Sequence, residues 1–166
     1  MLKNQAGFTL VELMVTITVA AILLTIGVPS LVSLNEKMRT KSNIEKIHNI
    51  VMFARSQAIS YGTTVIICPF ASETSCGSTT DWSNGVRVYT TDSDGNDYEL
   101  RAIDSFNNQD KIKGSAPILS FTAEGMVNVG GGSIVYCPGG QSTDSKSVSV
   151  STSGLISYGN DSLPCT

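Results

Sequence analysis

The chain has 166 residues, a net charge of −3 at pH 7 and a sequence pI near 5.0. Its 11 basic residues are scattered along the sequence, which argues against a nucleic-acid footprint and against a polybasic patch for anionic lipids. The length allows a membrane segment and one soluble domain of about 110 residues, but not two such domains. Protein partners are therefore expected.

The first element in chain order is an apolar stretch. Leu13 to Ser33 comprise 21 residues without a charge. As a helix they extend over roughly 31 Å, the thickness of a hydrocarbon core. The run is too long for an ordinary secretory signal, and no Ala-x-Ala site follows it. The segment is therefore predicted to span a membrane once.

A motif precedes this stretch. Lys3 lies in a short polar leader, and the residues from Gly7 to Glu12 read Gly-Phe-Thr-Leu-Val-Glu and continue into the apolar run. This order resembles the prepilin signal of type IV pilins and type II secretion pseudopilins. The resemblance implies that a prepilin peptidase removes the leader, residues 1–7, by cutting after Gly7. The new amine of Phe8 is then N-methylated, and the helix stays in the mature protein.

The same resemblance implies a location and a set of partners. Before assembly, one helix would anchor the chain in the inner membrane with its head in the periplasm. After assembly, the chain would belong to a pilus at the cell surface or to a periplasmic pseudopilus. The implied partners are the prepilin peptidase, the inner-membrane assembly platform, and other pilins or pseudopilins, contacted through the N-terminal helix. No cofactor is implied.

Glu12 has two interpretations. An ionisable residue at the edge of the bilayer core costs free energy and is a candidate functional residue. The resemblance implies that its carboxylate pairs with the Phe8 amine of a neighbouring subunit during filament assembly. The local alternative is a favourable interaction of about 0.3–1 kcal/mol with the helix dipole in the first turn. Because the cleavage motif stands beside it, we favour the assembly role.

The helix is predicted to continue beyond the membrane. Residues 8–34 form its transmembrane or filament-core half, and residues 35–61 form an amphipathic half. Pro29 is expected to kink the helix without ending it, because proline removes one backbone hydrogen bond. Gly62 is expected to end it in a left-handed conformation. One apolar stripe at helical period should face a sheet, and it consists of Ile44, Ile47, Val51, Ala54 and Ala58.

The rest of the chain, residues 62–166, is predicted to be a β-rich head. A tight turn at Asp94-Gly95 favours a hairpin. A long helix followed by antiparallel strands predicts an α+β fold with the helix laid on the sheet. About seven short strands are expected, at Thr63–Cys68, Gly85–Thr91, Tyr98–Ile103, Ile118–Thr122, Ser133–Cys137, Ser147–Ser151 and Leu155–Tyr158.

The head resembles a narrower group within the pilins. The order of several short segments is similar to that in H-type pseudopilins (GspH) and the minor pilins FimT and FimU. These segments are Ala54–Ala58, a strand that ends at Ile67-Cys68-Pro69, Trp82–Gly85 and Gly125. The resemblance implies a minor pilin of a type IV pilus, near the filament tip, that helps to initiate assembly. One alternative is an H-type minor pseudopilin of a type II protein secretion system, and another is a DNA-binding pilin in natural transformation.

DNA binding has little support in this chain. DNA-binding members of the group carry Gly-Arg-x-Arg near the C-terminus, and the matching segment here, Gly154 to Ser157, reads Gly-Leu-Ile-Ser. Affinity for phosphates requires cations that replace counterions. No DNA-binding residue is therefore assigned.

The acidic segment Asp92–Asp97 suggests calcium, because hard oxygen ligands suit that ion. An EF-type loop needs its glycine at position six and a glutamate at position twelve. Here the glycine is at position four and position twelve is Ile103. A tight turn explains the segment, and no metal site is assigned.

The four cysteines, Cys68, Cys76, Cys137 and Cys165, all follow the membrane helix, where an oxidising periplasm permits disulfides. Three pairings are possible. We favour the sequential one, Cys68 with Cys76 and Cys137 with Cys165, because it closes the shortest loops. Metal binding by thiolates is disfavoured, since the sequence has no Cys-x-x-Cys motif.

Catalysis is not predicted. The sole histidine, His48, falls on the polar side of the predicted helix, where a solvated side chain is expected, and no nucleophile stands beside a suitable base. Trp82 is expected to anchor a loop on the head. The chain is interpreted as a structural subunit and not as an enzyme.

Overall fold

The computed structural model describes residues 8–72 and 75–165. A 52-residue helix, α1 (Leu10–Tyr61), precedes all the strands. The strands are β1 (Val65–Ser72), β2 (Ser75–Cys76), β3 (Val86–Thr91), β4 (Asp97–Ile103), β5 (Lys111–Gly114), β6 (Leu119–Phe121), β7 (Val127–Val129), β8 (Gly132–Cys137), β9 (Lys146–Val150) and β10 (Ile156–Tyr158). A short 3-10 helix, Pro138–Gly140, follows β8.

These strands form two antiparallel sheets. One has the order β4-β3-β1-β6-β7, with β2 paired to β1, and the other has the order β10-β9-β8-β5. The α+β prediction is confirmed, and each predicted strand has a counterpart. The structure adds three short strands, β2, β5 and β7, and it has two sheets where the sequence suggested one.

The chain divides into two compact units, one up to Met38 and one from Arg39 onward. The first is the apolar part of α1. The helix continues through position 29, and the kink predicted at Pro29 stays a prediction. The second unit contains the rest of α1 and all the strands.

The predicted stripe on the helix is the helical side of the core. Its five members are each at most 5% exposed. They form one cluster with side chains from both sheets, among them Val65 of β1, Phe121 of β6 and Val148 of β9. Because apolar area removed from water stabilises by roughly 25 cal/mol per Å², this contact is a main source of the head's stability.

Gly62 ends the helix as predicted. Its φ is +63°, a left-handed conformation that costs glycine little because it has no Cβ. The Thr63 N–H donates to the Ala58 carbonyl at 3.2 Å. This bond spans six residues and is the mark of a Schellman C-cap.

Strand β5 depends on its neighbours. It pairs with β8 on one side, and on the other the Trp82 N–H donates to the Ile112 carbonyl at 2.8 Å. The Trp82 side chain is buried and its indole N–H donates to the Ala116 carbonyl at 3.3 Å. Gly114 leaves room for the indole, since a Cβ there would lie 2.8 Å from the ring. The predicted loop-anchor role of Trp82 is confirmed.

A buried polar network joins the helix to the second sheet. The Asp110 carboxylate accepts hydrogen bonds from the Tyr136 hydroxyl, from the Gly139 N–H at 2.9 Å and from Arg39 Nη2 at 3.2 Å. Asn43 Nδ2 donates to the Tyr136 hydroxyl oxygen at 2.9 Å. Asp110 is fully buried at its side chain, so the network neutralises and satisfies a charge inside the protein.

This network predicts a specific pH dependence. Burial, with the hydrogen bond to Asp110, raises the pKa of Tyr136 to about 12, against about 10 in an unfolded chain. Between these values the unfolded state has lost a proton that the folded state keeps, so stability falls as pH rises. We expect the free energy of unfolding to decline more between pH 9 and 11 in the wild type than in Tyr136→Phe. Equal declines in a urea titration at each pH would contradict this.

The structure contains two disulfides, Cys68–Cys76 and Cys137–Cys165, which is the sequential pairing. The first joins β1 to β2. The second ties the C-terminal tail to the end of β8. Hydrogen bonds from Ser147 Oγ to the Asn160 carbonyl and from Ser145 Oγ to the Leu163 carbonyl also hold this tail.

Candidate assembly site

The start of α1 is closed by a reciprocal cap between Thr9 and Glu12. The Glu12 N–H donates to Thr9 Oγ1 at 3.2 Å, and the Thr9 N–H donates to Glu12 Oε2 at 3.4 Å. The Thr9 hydroxyl also lies 3.3 Å from Glu12 Oε2. This arrangement is a capping box, which satisfies backbone donors that have no partner within the helix.

The cap refines the interpretation of Glu12. In the single chain its carboxylate caps the first turn, so the local role is present in the structure. The pairing with a neighbouring amine stays a prediction, because it involves a second subunit. Thr-x-x-Glu before an apolar run is a readable capping signal, and the sequence interpretation missed it by weighing Glu12 without Thr9.

Phe8 immediately precedes the cap and is 80% exposed. The proposed cut lies between it and Gly7, and Gly7 falls outside the described residues. The amine expected on Phe8 therefore lies close along the chain to Glu12, the one carboxylate of the apolar segment.

The apolar part of α1 has a large uncovered surface. Every leucine, isoleucine, valine and methionine from Leu10 to Leu34 is at least half exposed. Among the described residues, α1 is the one helix long and apolar enough to cross a membrane. Such a surface requires lipid or other helices around it, because soluble proteins rarely expose apolar patches of this size.

Four hydroxyl groups within this segment are satisfied inside the helix, as an apolar medium requires. Each donates to the carbonyl three residues earlier, at 2.7–3.0 Å, and the pairs are Thr16 to Leu13, Thr18 to Val15, Thr25 to Ile22 and Ser33 to Ser30. These four hydroxyls therefore add no unpaired donor to the apolar surface.

The side chain of Asp92 in the acidic segment Asp92–Asp97 binds backbone N–H groups of its own turn. Asp92 Oδ1 accepts from the Asp94 N–H at 2.9 Å and from the Asn96 N–H at 2.8 Å. The hydrogen bond from the Asn96 N–H is the main reason that the pKa of Asp92 lies below its usual range, and the bond from the Asp94 N–H acts in the same direction. No cluster of three histidine, cysteine, aspartate or glutamate side chains suited to a metal occurs in residues 8–72 and 75–165.

His48 departs from its expected solvated state. It is partly buried, and its ring stacks on Tyr158 of β10 with the centroids 4.7 Å apart and the planes 15° from parallel. The helical period placed His48 on the polar side. Only the position of β10 shows that an aromatic ring covers it.

Comparisons with known proteins agree with both halves of this description. The family model of the type II transport protein GspH matches residues 43–154, and the prokaryotic N-terminal methylation motif matches residues 2–28. No curated protein sequence matches the chain.

Two crystal forms of the type IV minor pilin FimU from Pseudomonas aeruginosa strain PAO1 have a similar fold, each at 23% sequence identity. One aligns with a TM-score of 0.56 over 72% of this chain and 92% of FimU. The other aligns with a TM-score of 0.60 over 76% and 92%. At this identity the likeness concerns the fold.

Proposed function

This chain belongs to the family of the type II transport protein GspH and carries the N-terminal methylation motif, and on that basis we propose that it is a minor pilin of a type IV pilus. It is a structural subunit that lies near the filament tip and helps to initiate assembly. The observation that carries the proposal is the methylation motif at the start of a helix whose apolar part is exposed, joined to a head with the fold of FimU.

The proposed mechanism begins with processing. The peptidase cuts after Gly7 and the amine of Phe8 becomes free and methylated, so a positive charge appears next to the capped turn. The Glu12 carboxylate of one subunit then pairs with the Phe8 amine of its neighbour as the apolar helices pack together. In a low-dielectric surrounding this pairing offsets the cost of burying either charge. No enzymatic step is assigned to the chain.

The capping box allows a sharp test of Glu12. Glu12→Gln keeps a side chain that completes a capping box but removes the charge. Losing one partner of a desolvated charge pair costs about 2–5 kcal/mol, which is more than about tenfold in an equilibrium constant. We therefore expect Glu12→Gln to be depleted more than about tenfold from sheared filaments, with its membrane level unchanged.

Thr9→Ala is the matched control. It removes the cap hydroxyl, at about 0.5–2 kcal/mol of helix stability, and keeps the carboxylate. Its incorporation should stay near that of the wild type. If Thr9→Ala and Glu12→Gln are depleted equally, Glu12 acts through the cap and the charge pairing is wrong. Mass spectrometry of the native N-terminus should find methylated Phe8 in all three proteins.

The family name supports one alternative, a minor pseudopilin of a type II secretion system. That subunit would use the same helix in a periplasmic filament. Deletion of this chain would then block export of secreted proteins into the medium, and the wild-type chain would be absent from sheared pili. Presence in sheared pili with secretion intact supports the pilus assignment.

A further inference from the structure

Three segments of the head meet around the side chain of Arg55. They are the last turns of α1, the turn between β6 and β7, and the turn between β9 and β10. Arg55 Nε donates at 2.9 Å to the carbonyl of Gly125, which lies in the turn between β6 and β7. The Val127 N–H donates to the Thr152 carbonyl at 3.1 Å and links the two turns.

Two glycines make this convergence possible. A Cβ at Gly154 would lie 1.9 Å from the Gly125 carbonyl oxygen and 2.9 Å from Arg55 Nε, and a Cβ at Gly125 would lie 2.7 Å from Ile59 Cδ1. Both glycines have positive φ, +80° and +77°. The backbone therefore comes close enough to hold the guanidinium in place, which lowers the entropy cost of using it in binding.

Three apolar side chains next to these contact residues are exposed. Ile59 is 50% exposed, Met126 is 50% exposed and Leu155 is 65% exposed. Ile59 lies one helical turn after Arg55, and the other two directly follow the two glycines. We name Arg55, Ile59, Met126 and Leu155 the Arg55 patch. Arginine and methionine are both enriched in protein interfaces, and here they lie beside other apolar side chains.

The charge in the patch indicates the chemistry of a partner. Within the described residues, Arg55 forms no ion pair, and its Nε bond to Gly125 leaves the Nη donors for a ligand. The Glu124 side chain, next to Gly125, is exposed and forms no ion pair with Arg55 among the described residues. A guanidinium binds a carboxylate with two parallel hydrogen bonds. A single fixed cation among apolar side chains does not suit a nucleic-acid backbone, which requires several cations.

We propose that the Arg55 patch docks a neighbouring pilin subunit that presents an aspartate or glutamate beside an apolar side chain. The carboxylate pairs with the Arg55 guanidinium, and the apolar side chain covers Met126 and Leu155. This inference rests on the proposed function, because a filament supplies the neighbour.

The test uses the full chain in its host cell and measures the amount of it in sheared filaments relative to the membrane fraction. Leu155→Ser and Arg55→Gln should each reduce incorporation by about tenfold or more, as expected for central interface residues. The matched control is Tyr98→Ser on β4, which is 55% exposed and lies outside the patch. It should keep wild-type incorporation.

The fluorescence of Trp82, the sole tryptophan, in the purified full-length variants verifies folding. Leu155→Ser changes an exposed side chain, so it remains informative if Arg55→Gln unfolds. Wild-type incorporation by both variants overturns the inference, and so does equal loss in Tyr98→Ser. Absence of the wild-type chain itself from filaments overturns the proposed function instead.

A photo-crosslinker in place of Leu155 identifies the occupant within filaments. A crosslinked peptide from another pilin subunit, with an acidic residue next to an apolar one, supports the proposal. A crosslink to a second copy of this chain, to lipid or to nucleic acid overturns it.

Discussion

Replacing Asp110 with alanine is expected to lower the free energy of unfolding of the head by about 3–5 kcal/mol. The substitution leaves the buried Tyr136 hydroxyl and the Gly139 N–H without their acceptor. It also leaves the Arg39 guanidinium, 28% exposed at its side chain, without its counter-ion. The cost is large because the substitution leaves a mostly buried guanidinium without its counter-charge and a buried hydroxyl without its acceptor.

The measurement is urea unfolding of the full-length chain in detergent, followed by Trp82 fluorescence. Trp82 is 2% exposed and belongs to the same core cluster as Tyr136, so it reports the head. The matched control is Asp161→Ala, which breaks the ion pair between Asp161 and Lys146. The Lys146 side chain is 46% exposed and the Asp161 side chain is 57% exposed. Exposed pairs contribute about 0–1 kcal/mol. Similar losses in the two variants would show that burial does not govern the Asp110 network.

Removing the Cys137–Cys165 disulfide is expected to cost about 3.6 kcal/mol in the chain-entropy model. The bond spans 28 positions and so restricts a long loop of the unfolded chain. The variant replaces both cysteines with serine, because a single replacement would leave a reactive thiol. The tail after Tyr158 then depends on hydrogen bonds, among them those to Ser145 and Ser147.

The Cys68–Cys76 pair is the internal comparison. It spans 8 positions, and the same model predicts a smaller loss of about 2.6 kcal/mol for the corresponding double serine variant. Unfolding in urea without reductant measures both losses. A larger loss for Cys68–Cys76 would contradict the loop-length argument and assign the effect to native contacts of β1 and β2.

Local sequence signals determined much of this protein. The uncharged run after Glu12 predicts an apolar helix through its length. The Ile44 to Ala58 stripe predicts the buried side of that helix through its helical period. Gly62 marks the helix end through its backbone conformation. Strands rich in β-branched residues between glycine turns were recognisable for the same reason, and the sequential cysteine pairing follows the shortest loops.

Tertiary structure decided what depends on residues far apart in the chain. Strand β5 reads Lys-Ile-Lys-Gly, too short and polar to predict, and it exists because β8 and the Trp82 loop supply its hydrogen bonds. The division into two sheets, the Arg39 and Asn43 contacts with Asp110 and Tyr136, and the Arg55 patch depend likewise on non-local packing. No local period encodes such contacts, since the free energy that forms them is gained only when the whole head is assembled.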